Sequence, residues 1–204
     1  MKDYVIMTDS CCDLPSGYMK EKSIPYVSLT CSFQNREYLD DLGESLTYKE
    51  FYDGMRKGEM PKTSQPSPKA FYNAFKKIIT DNKDILYVSV SSGLSGTYNS
   101  ANIAKNMILE EYETARIEIV DILTASLGQG IMVINALAMK ERGSTLDEIF
   151  AYLEGSKMNL NTFITVDDLS HLKRGGRISS AAAFVGAVLH IKPVLTLDEE
   201  GKVT

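Results

Sequence analysis

The sequence predicts an α/β protein: a doubly wound, mostly parallel sheet with helices on both faces, followed by a second α/β domain that is incomplete. Three observations carry this expectation. Short apolar runs alternate with helix-period segments from the start of the chain to about Lys157, the order that builds βαβ units. One run, Ile85, Leu86, Val88 and Val90, is apolar on both faces, as a strand covered on both sides must be. Beyond Met158 the pattern breaks into shorter pieces and an alanine-rich stretch. We therefore expect one domain over 1–157 and the beginning of another over 158–204.

With 204 residues and ordinary apolar content, the chain can bury a substantial core. Lys and Arg total 22 against 27 Asp and Glu, a formal charge of −5 with no basic stripe, which argues against nucleic-acid binding. No apolar run approaches ~20 residues, so neither a membrane span nor stable membrane anchoring is expected. Asp3, Asp9 and Asp13 interrupt the short apolar start, unlike a secretory leader. Cys11, Cys12 and Cys31 form an odd set without a Cys-x-x-Cys pair, which fits a cytoplasmic protein with reduced thiols. Such cysteines usually pack as small apolar groups, and neither a metal site nor a cofactor is expected.

The first strand is read over 4–8, and the polar loop 9–15 follows at the carboxyl edge of the sheet, ending in a proline that suits a helix start. Residues 25–33 alternate loosely, and Gln34, Asn35, Arg36 and Glu37 turn into a short strand at Tyr38. Phe51 and Met55, one turn apart, mark a helix over 47–57 that Gly58 stops. Residues 61–68 read as an extended loop stiffened by prolines, which leaves the Thr63 and Ser64 hydroxyls little freedom to lose on binding. Ser67 and Pro68 then start a helix with Ala70, Phe71, Ala74, Phe75, Ile78 and Ile79 along its apolar face.

The strand over 84–90 leads through a Gly- and Ser-rich turn into a helix carrying Ala101, Ala104 and Ile108 on one face, with Ser95 placed to cap it. A strand over 117–122 follows, then a helix over 131–139 that is apolar on nearly every side and should be buried. Ser144, Thr145, Leu146 and Asp147 resemble a capping box, and Leu146, Ile149, Phe150 and Leu153 share one face. The last part reads as a strand over 161–166, a short helix over 168–173 and a turn at 174–177. A small-residue helix over 178–190, a strand over 193–197 and a hairpin turn at 198–202 complete it. The sequence ends directly after that turn, without the second arm of the hairpin, and we read it as a chain cut short in its second domain.

The turn at 91–98, SSGLSGTY, lies at the carboxyl end of a strand and the amino end of a helix, where free N–H groups and the helix dipole favour an anion. Three chemistries compete for it. Gly93-Leu94-Ser95-Gly96-Thr97 is close to a G-x-S-x-G nucleophile elbow, but Thr97 replaces the last glycine. The two histidines, His171 and His190, are not flanked as triad partners either. A nucleotide site is disfavoured because neither G-x-x-x-x-G-K-[ST] nor G-x-G-x-x-G is present. The third reading is a carboxylate site in a binding protein. Hydroxyls donate without a fixed counter-charge, the Gly96 and Thr97 N–H groups add donors, and an acyl tail supplies affinity at ~0.8 kcal/mol per buried CH₂. The residues by themselves leave this open against a small carboxylate metabolite.

Read together, TDSCCDLP (8–15), TSQPSP (63–68), SSGLSGTYNSA (91–101), LKRGGRIS (172–179) and IKPVL (191–195) resemble the DegV family in order and spacing, over essentially the whole chain. The resemblance implies two α/β domains with an apolar lipid tunnel between them, and a binding protein rather than an enzyme. Its ligand would be a long-chain fatty acid such as palmitate. Lipid transport, fatty acid metabolism or presentation to a partner fatty-acid kinase would be its role, with a serine hydrolase using Ser95 as the alternative. By the same resemblance, Thr63 and Ser95 hold the carboxylate, Ser64, Gly96 and Thr97 support them, and Arg174 and Arg177 contribute from the second domain. Family members continue past this chain's last residue, and a histidine near the head group is implied there. The cysteine pair of TDSCCDLP is a less usual filling of that motif and carries no implied role.

Overall fold

A computed structural model of the chain describes residues 2–166, 169–178 and 194–204. Along the chain, β1 (Tyr4–Asp9), α1 (Ser16–Glu21), β2 (Tyr26–Val27), β3 (Thr30–Phe33), β4 (Arg36–Leu39), α2 (Tyr48–Arg56), β5 (Lys62–Ser64) and α3 (Pro68–Thr80) come first. They are followed by β6 (Asp84–Ser89), α4 (Thr97–Glu111), β7 (Ile117–Asp121), α5 (Leu127–Glu141), α6 (Leu146–Ser156), β8 (Ile164–Thr165), α7 (Ser170–Arg174) and β9 (Val194–Leu195).

The main sheet has the order β2-β1-β6-β7, and every pairing in it is parallel. Side-chain alternation decides what each strand gives each face. Tyr4, Ile6, Leu86, Val88 and Val120 meet Met132, Val133 and Ala136 of α5 and Ile149 and Leu153 of α6. Met7, Ile85, Tyr87, Ile117 and Ile119 meet Phe71, Phe75 and Ile79 of α3 and Ala101, Ala104 and Ile108 of α4. The doubly wound sheet with helices on both faces is therefore present. Thr47, Ser67 and Thr145 cap α2, α3 and α6 through their hydroxyls, and Pro68 opens α3. A second, antiparallel sheet has the order β4-β3-β5.

From β1 the chain runs outward to β2, then returns to β6 on the other side of β1. The order reverses there, so the loops leaving β1 and β6 diverge and open a crevice at their carboxyl ends. Asp9 ties the two strands together at that point. Its wholly buried carboxylate accepts hydrogen bonds from the Tyr87 hydroxyl (2.7 Å), the Val90 N–H (3.0 Å), the Cys11 N–H (3.0 Å) and the Gln129 amide (3.1 Å). Burial pushes this carboxyl above its ordinary range, against the four bonds that favour its charged form.

Several expectations change in detail. Residues 62–64 form a strand, not a loop, because the edge of β3 satisfies their backbone, with Cys31 opposite Thr63 and Thr30 opposite Ser64. Gly96 occupies the N-cap position of α4 and Ser95 stands one residue earlier. The helix around 131–139 is not buried all round: α5 seats Met132, Val133 and Ala136 on the sheet but leaves Leu127, Ile131 and Ile134 on an open stripe. The strands read over 161–166 and 193–197 shorten to an antiparallel pair of two residues each, β8 and β9. The short helix is α7, and Asp168 lies outside the described residues, as do Pro193 and the helix read over 178–190 from residue 179 on, with His190. The hairpin at 198–202 does have a return arm: Thr196 and Thr204 exchange two N–H···O bonds of 3.0 Å, and Leu197 bridges Val203.

Removing the Asp9 acceptor tests this account of the crevice. Asp9→Ala leaves the Tyr87 hydroxyl and the Val90 N–H buried without it, each costing roughly 1–3 kcal/mol, while the Gln129 amide keeps Thr8 Oγ1 and Val88 O as acceptors. We expect a loss of at least about 2 kcal/mol in urea unfolding. Asp9→Asn, which keeps an oxygen toward most of these donors, should lose distinctly less. Equal stabilities for the two variants would contradict the assignment.

Candidate functional site

The turn after β6 is built by its own hydrogen bonds. Ser91 O accepts the N–H groups of Leu94 and Ser95, both at 3.1 Å, and the chain enters α4 at Thr97. Ser95 Oγ lies 2.8 Å from Thr97 Oγ1 and accepts the Thr97 N–H at 3.3 Å. A hydroxyl has one proton and two lone pairs. Either oxygen of the Ser95–Thr97 pair can be the donor; when the buried Thr97 hydroxyl donates, both lone pairs of Ser95 are occupied and its proton is available to an outside acceptor. Ser95 then offers a donor to an anion at the start of a 15-residue helix.

Two other segments of the predicted set reach the same turn. Gln65, two residues past Thr63, donates from Nε2 to Gly96 O at 3.2 Å and to Ser100 Oγ at 2.9 Å. It packs so closely that a Cβ on Gly96 would lie 2.0 Å from Gln65 Oε1 and would displace the amide. The Arg177 guanidinium donates from Nε to Leu94 O at 2.9 Å and from Nη1 to Gly175 O. Arg177 is thus bonded to the backbone of the turn. Arg174 is not brought to it; its Nη2 lies 3.3 Å from His171 Nδ1 on α7. Thr63 and Ser64 are exposed on β5, at the open edge of the antiparallel sheet.

Among the described residues no histidine hydrogen-bonds to Ser95. Ser95 is not among the described residues with positive φ, so its backbone lacks the strain of an elbow serine, and its hydroxyl partner is Thr97 rather than a histidine. The free cysteines of the neighbouring loop are inert: burial pushes the Cys12 thiol up to about 12 and raises that of Cys11 further. Among the described residues no cluster of His, Cys, Asp or Glu could hold a metal ion, and no helix is long and apolar enough to cross a membrane.

Comparison with known proteins places this geometry. A family model described as "Uncharacterised protein, DegV family" matches residues 3–204. The chain belongs to the DegV family. A DegV domain-containing protein of Clostridium perfringens is 47% identical over 202 residues, covering 99% of this chain and 69% of the relative. Among solved structures, a DegV family protein from Thermus thermophilus, described for its fatty acid binding, is 36% identical with a TM-score of 0.85. It covers 100% of this chain and 70% of its own. A stearic acid-binding protein from Eubacterium ventriosum is 30% identical with a TM-score of 0.89, over 98% of this chain and 68% of its own. The α/β fold read from the sequence and the DegV resemblance are both borne out, and structural relatives of the chain bind fatty acids.

Two residues of the candidate site stand outside the set that the sequence singles out. Gln65 lies inside TSQPSP, and an amide between two hydroxyl-rich motifs is the signal that points to a bridge. Ser91 belongs to the Gly- and Ser-rich turn, and only the fold shows it fully buried. If Gln65 couples the two motifs, Gln65→Ala and Gly96→Ala disturb one contact. Each should cost about 1 kcal/mol in denaturant unfolding, and the double variant should cost no more than the larger single one. Additive losses would contradict a shared contact.

Proposed function

We propose that this chain binds a long-chain fatty acid such as palmitate, taking its carboxylate at the hydroxyls of Thr63 and Ser95. The observation that carries the reading is the Ser95–Thr97 pair: Ser95 Oγ accepts the Thr97 N–H and lies 2.8 Å from Thr97 Oγ1, so a Thr97 hydroxyl that donates to it leaves the Ser95 proton for an anion. Support comes from Gln65, which links the Thr63 segment to Gly96, and from the fatty-acid-binding relatives of the fold. Ser64 and the N–H groups of Gly96 and Thr97 back the two principal donors. Arg177 steadies the turn through Leu94 O, while Arg174 stays paired with His171 on α7.

Neutral hydroxyls make a modest anion site, and the acyl tail supplies the remainder at ~0.8 kcal/mol per buried CH₂. We place that tail in an apolar tunnel between the unit 1–157 and the one that begins at 158. The protein would act in the cytoplasm as a carrier without a cofactor or a reaction of its own, in lipid transport or fatty acid metabolism, or in presenting the head group to a fatty-acid kinase. The hydrolase alternative is less well supported, because Ser95 is paired with Thr97.

Native mass spectrometry of the purified protein should reveal a bound acyl ligand, or take-up of added palmitate. Ser95→Ala and Thr63→Ala should each weaken binding by roughly 1–3 kcal/mol, the worth of a hydrogen bond to a charged group. Unchanged affinity in the double variant would place the head group elsewhere. Covalent labelling of Ser95 by a fluorophosphonate would instead favour the hydrolase.

A further inference from the structure

Ser91 makes five hydrogen bonds, none of them to the proposed carboxylate. It is fully buried, its N–H donates to Thr124 O at 2.8 Å, and its carbonyl holds the Leu94 and Ser95 N–H groups. Its hydroxyl accepts the Gly93 N–H at 3.1 Å and donates to Gly201 O at 2.8 Å. That last bond spans 110 residues and joins the turn that carries Ser95 to the hairpin at 198–202.

The contact around this bond is close on every side. A Cβ on Gly93 would lie 2.4 Å from Glu200 O, and one on Gly201 would lie 2.1 Å from Ser91 Oγ and 2.9 Å from Leu123 Cα. Gly201 also has φ +70°, a conformation that suits only glycine there. Beneath it, Leu123 has φ +54°, an uncommon setting for a bulky residue that costs of order 1–3 kcal/mol and persists only where its surroundings hold it. Asp121 holds it, accepting the N–H groups of Leu123 (3.3 Å) and of Ser92 (3.1 Å) at one oxygen. The hairpin is stiff in its own right, since Asp198 Oδ1 accepts the N–H groups of Glu200 and Lys202, both at 2.9 Å. A rigid hairpin thus meets a built floor through one hydroxyl and two glycines.

We propose that Ser91, with Gly93 and Gly201, seats this hairpin on the head-group turn, and that the seat sets how fast a bound fatty acid leaves. Ser91 is a positioning residue: the Ser95 N–H hangs from its carbonyl, so lifting the hairpin shifts the Ser95 hydroxyl without removing it. The inference rests on the fatty-acid reading for its kinetic part, while the mechanical coupling stands apart from it.

The test uses the full chain, cis-parinaric acid as a fluorescent fatty-acid probe, and amide hydrogen exchange. Ser91→Ala should speed probe dissociation roughly tenfold, at the upper end of a lost hydrogen bond, and leave association near the wild-type rate. Exchange should rise together in residues 92–97 and 199–204. If Ser91→Ala does not fold, Gly93→Ala, which displaces Glu200 and keeps the Ser91 hydroxyl, should give the same pattern. Wild-type release, or faster exchange in only one of the two segments, would overturn the proposal. A wild-type protein that takes up no probe would overturn the fatty-acid reading instead; the coupling would then stand or fall on whether exchange rises in both segments.

Discussion

Asp9 carries a wholly buried carboxylate and donors from four parts of the chain: the Tyr87 hydroxyl on β6, the backbone just beyond β6, the loop after β1, and Gln129 on α5. The rest of the candidate site depends on that convergence. A parallel sheet whose order reverses between β1 and β6 must let the two departing loops separate, and separated loops expose backbone that a core cannot solvate. The Asp9 carboxylate supplies the acceptor for Val90 N–H at the point of separation. Ser91 begins the turn immediately afterwards. Desolvating the charge works against it, and the four donors offset only part of that cost.

From Ser91 onward the turn is held by parts of the chain far apart in sequence. Gln65 fixes Gly96 from the β5 side, Arg177 fixes Leu94 from beyond α7, and Gly201 fixes Ser91 from the hairpin. All three contacts end on backbone or on a buried hydroxyl, and none of them involves the Ser95 hydroxyl. A donor held this way loses little freedom on meeting an anion. In the proposed site, where no lysine or arginine among the described residues bonds to Ser95, an apolar tail would contribute most of the affinity for a carboxylate ligand.

Much of the fold was legible because it rests on periodicity and caps. The alternation through Ile85, Leu86 and Val88 matches the two faces of β6, and Ser67-Pro68 starts α3 as read. Lys62, Thr63 and Ser64 carry no such alternation; they are a strand only because β3 lies beside them, a tertiary fact. The open stripe of α5 was illegible for the opposite reason, since a helix apolar all round does not say which side the sheet will take. Within the site, the glycines of SSGLSGT pointed to a tight turn, but what fills the space beside them could not be read: Gln65 against Gly96 and Glu200 against Gly93. Asp9 read as one polar residue in a loop, and its burial emerged only when β1 and β6 were paired. The choice of a fatty acid over another carboxylate came from the family resemblance, not from the residues alone.

The central claim is that the Thr63 and Ser95 hydroxyls recognise the carboxylate itself rather than the tail. The most direct measurement compares the affinities of palmitate and its methyl ester for the wild type, the Thr63→Ala and Ser95→Ala variants, and the double variant. The account predicts that the wild type prefers the acid, that each substitution erodes the preference, and that the double variant binds acid and ester alike through the tail they share. A double variant that still discriminates as strongly as the wild type would contradict it.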